Sequence, residues 1–477
     1  MSSPFENSSR KRALSEKTAQ IADETRSQRP GKGRPSRPGG MREISLLAYP
    51  VVLSQLSVTL MGVVDAAMVG RLGPVELAAV GFGGNWMWTL FCFFMGTAGV
   101  VQTFVSQNQG SGESEECGIW SWQGAWMLLP LTIVVGLGLY IGLSPLLSLV
   151  LPSENMRPIT ETYMSIRILG EVAMVGGFVF AAFFRGIGDT RTPLYATVAA
   201  NLINLVLDYG LIFGEWGLPE WGVAGAATAT VLSEWFFALL MLTLFLRPQN
   251  QRKYKTRPQW IDWSRQKRLM RTGFPIGGQW ATEMLFFSVF LTLVAQLGDN
   301  AMAASQAFIA LLSLSFMQAV GVGVAVSTLV GRYVGSEQHE YAENSFMSGQ
   351  KLAFGISMII AGLFLFFPSL LMRIFTDSPE VIEMGRSLLL LGAVYQIIDA
   401  VCIVTDNALR GAGDTKVPFI ARLALSIIVL IPLSWYLGFY TEGGLTGLWL
   451  ASGIDLLVLG IFLVLRFRSG AWKQIQI

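Results

Sequence analysis

Twelve stretches of this chain are apolar on every side, near 44–69, 77–104, 119–144, 161–184, 193–214, 222–246, 270–296, 301–329, 346–372, 384–408, 417–438 and 444–466. A helix needs about 20 mostly apolar residues to cross a bilayer, so each stretch predicts one transmembrane helix. They lack the single apolar stripe of a helix lying on a soluble core. The expected fold is an all-α polytopic membrane protein. Twelve crossings, an even number, put both termini on one side.

Loop charges say which side. Those sharing the side of the termini hold the basic amino-terminal segment, Arg185 and Arg191, a basic linker at 247–271, Arg332, Lys351 at a helix start, Arg410 and Lys416, then Arg466, Arg468 and Lys473. The opposite loops offer Arg71, Arg157 and Arg373 and otherwise carry acids. By the positive-inside rule both termini are cytoplasmic, in a plasma or inner membrane. Loop 105–118 (VSQNQGSGESEECG) belongs to that side yet has no base, a local exception.

Composition sharpens the reading. Of 477 residues 52% are apolar and 14% charged, against about 25% charged in a soluble domain. Residues 1–43 carry ten bases and five acids, and 247–271 nine bases and one acid, so the spans themselves are nearly uncharged. Residues 1–40, rich in Ser, Arg, Gly and Pro, are too polar to pack and are expected to be disordered. They lack the apolar core of a secretory signal, and their acids argue against a transit peptide. Met41-Arg-Glu-Ile stands directly before the first helix, so the preceding residues read as a dispensable extension or a start placed too early. One His and three scattered cysteines (Cys92, Cys117, Cys402) exclude a Cys/His metal cluster and a disulfide framework, and no cofactor is expected.

The chain is a duplication. A shift of 225 residues brings Arg185-Gly-Ile-Gly-Asp-Thr onto Arg410-Gly-Ala-Gly-Asp-Thr, Pro193 onto Pro418, Pro50 onto Pro275, Leu72-Gly73 onto Leu297-Gly298 and Gly110-Ser111 onto Gly335-Ser336. Six helices per repeat is even, so the halves run the same way through the membrane. Such parallel repeats put the cargo site between them near the midplane and work by rocking of two lobes. The resulting organisation is a tail (1–43), a six-helix lobe (44–247), a basic cytoplasmic linker (248–271), a second six-helix lobe (272–467) and a short cytoplasmic carboxyl-terminal segment (468–477). The repeated motif reads as a structural turn: Gly for the bend, Asp and Thr to cap, Pro for the first turn, and Arg at the aqueous interface.

An ionisable residue inside a span is costly and is a functional candidate by default. Those well inside are Asp65, Arg167, Glu171, Asp208, Glu234, Glu283, Asp399, Arg422 and Asp455. Acids outnumber bases, which suits a cation. Asp65, Asp208, Glu283 and Asp399 fall opposite Phe290, Leu433, Val58 and Met174 in the repeat, so they read as function added to a symmetric frame. Asn201, Asn204 and Asp208 share a helix face, as do Tyr395 and Asp399. Glu171 is expected to pair with Arg167 four residues earlier. A place on a polar seam between the lobes stays open for Glu234 and Asp455. The aromatic load of 14 Trp, 30 Phe and 11 Tyr reads mainly as lipid-facing or interfacial.

At these residues the chain resembles the multidrug and toxic compound extrusion (MATE) family over about 42–467. The resemblance is carried by Pro50-Val-Val-Leu-Ser-Gln, Val64-Asp65-Ala-Ala-Met-Val-Gly-Arg-Leu-Gly73, Gly273-Phe-Pro-Ile with Glu283, Tyr395 with Asp399, and the two Arg-Gly-x-Gly-Asp-Thr turns. It looks like the NorM-like branch, with Asp65, Glu283 and Asp399; it also carries Asp65, Asn204 and Asp208, the set of the DinF-like branch. The resemblance implies a V-shaped pair of six-helix lobes and a Na⁺- or H⁺-driven antiporter expelling lipophilic, often cationic compounds. The expected coupling set is Glu283, Asp399 and Tyr395, which would hold Na⁺ or a proton, with Asp65, Asn204 and Asp208 as a second site. Gln55, Gln306 and Asn201 are candidates for the cargo wall. Partners are then a small organic molecule and membrane lipids, anionic headgroups being closer to the basic tail than any nucleic acid, and the protein is expected to act as a monomer.

Three other readings compete. A major facilitator transporter would carry its basic Gly/Asp loop at 105–118, where this chain does not. A flippase of lipid-linked sugars would want deep bases for a pyrophosphate. A membrane-embedded enzyme would need a metal or nucleophile constellation, and the one His, His339, sits in a loop.

Overall fold

The computed structural model describes residues 37–477 except 152, 442 and 476, so the tail expected to be disordered lies largely outside the described residues. Twelve long helices follow one another: α1 (Met41–Gly70), α2 (Pro74–Gly110), α3 (Glu116–Val150), α4 (Arg157–Gly186), α5 (Arg191–Phe213), α6 (Gly222–Phe245), α7 (Trp263–Ala295), α8 (Asp299–Gly335), α9 (His339–Phe366), α10 (Pro379–Ala412), α11 (Lys416–Tyr440) and α12 (Gly444–Arg468). All twelve expected spans are present. No strand occurs among the described residues, as expected where backbone groups must be satisfied within the bilayer.

Local chemistry explains several boundaries. In the repeated turn the second glycine, Gly188 or Gly413, takes a left-handed φ of 88° or 91°, which a side chain would strain. Asp189 then accepts from the Thr192 amide (3.1 Å) and hydroxyl (2.6 Å) at the start of α5. Its repeat mate Asp414 does something else, pairing with Arg466 of α12 at 2.7 Å. The motif arginines, expected at the aqueous interface, are not simply interfacial: Arg185 is half-buried over the Phe178 ring, and Arg410 pairs with Asp406 at 2.6 Å. Pro50 and Pro275 sit inside α1 and α7, where each removes a helix hydrogen bond and favours a bend.

Packing follows the duplication. In the first half α4 packs on α3, α2 and α6, and α1 on α5; in the second, α10 packs on α9, α8 and α12, and α7 on α11. Across the halves, α1 lies on α8 and α7 on α2, so each first helix crosses to the second helix of the other repeat. Ile44 and Ala48 of α1 enter the core built by α8, α9, α10 and α12, while Leu269 and Ile276 of α7 enter that of the first half.

At the end holding the termini the halves are locked by repeat-related contacts. Thr103 donates to the Arg410 carbonyl (3.0 Å) and Thr328, its mate, to the Arg185 carbonyl (3.1 Å). A Cβ at Gly110 would overlap the Arg332 carbonyl, and one at Gly335 the Gln107 carbonyl. These small residues let the backbones touch. The segment expected as loop 105–118 is thus corrected. Its first six residues complete α2 and pack between the halves: Gln107 donates to the Gly411 carbonyl of α10, while Asn108 donates to the Phe104 carbonyl one turn back in its own helix. Beyond Gln55 of α1, whose amide meets the Met317 sulfur at 3.7 Å, the cores toward the other end belong to one half or the other among the described residues. The lobes therefore diverge there into a V.

Between the halves a short helix, Pro248–Tyr254, leads through a left-handed Lys255 into an irregular run that ends at Asp262. Asp262 caps α7 by accepting from Ser264 and Arg265 amides, so the second part of the basic stretch is helix rather than linker. After α12 the chain turns back and buries Trp472 against Phe467 and His339.

Candidate functional site

In the first half, the acids lie on four helices, α1, α4, α5 and α6. Asp65 of α1 and Asp208 of α5 bring their carboxyls within hydrogen-bonding reach of each other. Asn204, one turn before Asp208, donates to its Oδ2 at 2.9 Å. Asp65 Oδ1 and Asp208 Oδ1 are buried and have no hydrogen-bond partner of their own. Two carboxyl groups at this separation need a proton or a cation between them. Asn201, expected on the same face, instead donates to Ser57 of α1 at 2.8 Å and ties the two helices together.

Behind this pair lies Arg167 of α4. Its Nη1 meets Glu234 of α6 at 2.7 Å, and its Nη2 meets Glu171 at 3.7 Å. The expected Arg167–Glu171 pair exists, but the shorter bond goes to Glu234. Glu234 is therefore held inside the first half and not on a seam between lobes. Its partner was hidden in the sequence because the two lie on different helices, 67 positions apart.

The second half places its groups differently. Gln279 of α7 donates to Glu283 at 3.2 Å. Asp399 of α10 lies within the electrostatic reach of Glu283 and of Arg422 from α11. Arg422 bonds Asp455 of α12 at 2.9 Å, so Asp455, like Glu234, belongs inside one lobe. The Tyr395 hydroxyl meets Ser452 at 3.4 Å, and among the described residues no hydrogen bond joins it to Asp399. Asp406, 7% exposed and paired with Arg410, lies below this group beside Gln279 and was missed by sequence reasoning. Its position four residues before the arginine of the repeated turn was the available signal.

No cluster of three or more His, Cys, Asp or Glu that would grip a metal occurs among the described residues. Glu283, Asp399 and Tyr395 offer only oxygen, which suits a hard monovalent cation, although the phenol faces Ser452 here. Gln306 is exposed on α8, on the open side of the V, and Gln55 is half-buried where the lobes part. Helix α11 is also unlike its mate. Two π turns, Ser426–Leu430 and Tyr436–Tyr440, flank Pro432, whereas α5 is regular, and the Ser426 and Ser434 hydroxyls are buried without partners. Such π turns mark strained or functional positions.

Comparison with known proteins agrees with this frame. The MatE family profile matches residues 50–210 and 275–436, once in each repeat. A probable multidrug resistance protein NorM of Thermotoga maritima is 29% identical over 440 residues, covering 91% of this chain and 93% of that protein. The multidrug resistance protein PmpM of Pseudomonas aeruginosa is 29% identical over 442 residues, with coverage of 91% and 93%. Among solved structures, an outward-facing multidrug resistance transporter matches with a TM-score of 0.84 at 21% identity, over 93% of this chain and 100% of that one. The eukaryotic transporter AtDTX14 matches with a TM-score of 0.79 at 21% identity, over 91% and 96%.

Proposed function

The chain belongs to the MatE family, and from that premise we propose that it is a secondary active antiporter exporting lipophilic or cationic organic compounds in exchange for Na⁺ or H⁺. It is a multi-pass integral membrane protein and a multidrug efflux transporter, not an enzyme. In this reading residues 44–247 and 272–467 are the moving lobes, the termini are cytoplasmic, and the membrane is the plasma or inner membrane.

The observation that supports coupling is the pair of facing carboxyls, Asp65 and Asp208, each with a buried oxygen free of any other partner. A proton or cation arriving from the open side satisfies them, and release is favoured once the lobes rearrange. A positively charged cargo in the cavity disfavours retention of that ion through like-charge repulsion. Exchange then needs only that each occupant bind the two states of the lobes with different affinity. Glu283 and Asp399, with Tyr395 nearby, form the second cation-accepting group. Asn204 orients Asp208, while Gln55, Gln306 and Asn201 line or brace the cavity wall. Because Arg167 and Arg422 are already committed to Glu234 and Asp455, neither is free to take an anionic cargo.

The test is efflux of a fluorescent organic cation from proteoliposomes, with Na⁺ and pH gradients imposed separately. Efflux driven by one gradient and lost in Glu283→Gln and Asp399→Asn is expected; full transport in both variants would remove the second-half assignment.

A further inference from the structure

We propose that residues 252–271, between the two halves, form a docking surface for anionic phospholipid headgroups of the bilayer leaflet at the end holding the termini. The proposal rests on the reading that these helices span a membrane.

Ordinarily a connection between lobes is held loosely, but this one is fastened to the side of α3. Trp122 Nε1 donates to the Thr256 carbonyl (2.9 Å), Trp126 Nε1 to that of Gln259 (2.8 Å) and Gln123 Nε2 to that of Trp260 (2.8 Å). In return the Asp262 amide donates to Gln123 Oε1 at 3.0 Å. Three side chains of one helix are thus spent on fixing a linker backbone, and Thr256 is fully buried beneath it.

What that backbone presents is Trp260, 92% exposed, and Trp263, 77% exposed. Two bare indoles on a pinned segment are costly in water. Their level explains them. Helix α3 is mostly buried up to Leu129 and becomes mostly exposed from Pro130 onward, so Trp126 marks where the lipid-facing surface begins. Indole rings beside that boundary belong in the headgroup region, with the apolar ring facing the acyl chains.

Charge selects the kind of headgroup. The acids in reach are already taken: Glu115 pairs with Lys255, and both Glu116 and Asp262 pair with Arg265. Exposed Arg257, Lys267 and Arg271 flank the two indoles and form no ion pair with a carboxylate among the described residues. A zwitterionic surface leaves this excess uncompensated, whereas a phosphatidylglycerol-like surface neutralises it. The surface also has leverage on the lobes. Arg265 and Arg268 of α7 lie over the Trp120 ring of α3 (5.4 and 5.1 Å), and Gln266 bonds Gln123 at 3.0 Å, so the strap that would hold lipid also bridges the two repeats.

Native mass spectrometry of the intact protein, carrying phosphatidylglycerol or phosphatidylcholine, tests this without reference to transport. The parent should retain phosphatidylglycerol preferentially, and the combined Arg257→Gln, Lys267→Gln, Arg271→Gln variant should bind it at least about fivefold more weakly with unchanged thermal stability. Equal retention of the two lipids by the parent, or unchanged phosphatidylglycerol binding in the variant, would overturn the proposal. A second readout places an environment-sensitive fluorophore at Trp260→Cys, since the three native cysteines are buried. Blue-shifted emission in phosphatidylglycerol bilayers relative to detergent supports the surface, and water-like emission there refutes it. An inactive transporter would leave both readouts intact, so failure of the transport reading and of this one are separable.

Discussion

The two halves share a frame and differ in chemistry. Where they meet, the same atoms do the same work: Thr103 and Thr328 reach equivalent carbonyls, and Gly110 and Gly335 admit equivalent backbones. Within the lobes that symmetry is abandoned. The first half sets Asp65 and Asp208 face to face, with a single arginine behind them held by two glutamates. The second sets Glu283 and Asp399 under the influence of Arg422, on a helix carrying two π turns. In the proposed transport cycle duplication supplies a symmetric hinge, and a pair of interiors free to diverge into unlike ion sites.

Substitutions at the ion sites should break the comparison most severely. Asp65→Asn, Glu283→Gln and Asp399→Asn are each expected to abolish gradient-driven efflux with normal expression, and only Asp65→Asn should be judged by the pH profile. A profile unchanged in that variant would argue against proton binding in the first half. Next come the hinge glycines. Gly110→Val and Gly335→Val should slow turnover comparably, since each pushes a side chain into the carbonyl of the opposing half. Cysteine accessibility at Gln107 should rise in both, and a large difference between them would show that the hinge is not symmetric in function.

Smaller effects address stability. Glu234→Ala leaves Arg167 without its closest partner and should cost about 3 kcal/mol in thermal or denaturant unfolding. Asp455→Ala should cost a similar amount through Arg422, and replacing both members of either pair with leucine should recover much of the loss. Thr103→Val and Thr328→Val should each cost about 1 kcal/mol, the net value of one hydrogen bond.

Much of this was legible from sequence because a bilayer fixes helix length and a 225-residue offset survives substitution. All twelve spans, the repeat and the acids inside it except Asp406 could be read directly. Partner choice could not. Whether Glu234 faces a seam or Arg167 depends on the rotation of α6 about its axis, which apolar content does not encode when every side is apolar. The run Val105–Gly110 was misread for a related reason: Gln107, Asn108 and Gln109 resemble a hydrated loop, yet Gln107 bonds the Gly411 carbonyl of α10, Asn108 bonds its own helix and Gln109 accepts from Ser114 of the following turn. Tyr395 and Asp399 share a helix face by spacing, but that does not bring the hydroxyl onto the carboxylate, and Ser452 of a neighbouring helix takes it.

The central claim, that facing carboxyls in the first half hold an ion that cargo displaces, is tested most directly by proton counting. Isothermal titration of an organic cation into purified protein, repeated in buffers of different ionisation enthalpy near neutral pH, reads protons released on binding. The parent is expected to release protons when the cation binds, or, if coupling is to Na⁺, when Na⁺ is added, and Asp65→Asn is expected to lose that release. Release by Asp65→Asn equal to that of the parent would contradict it.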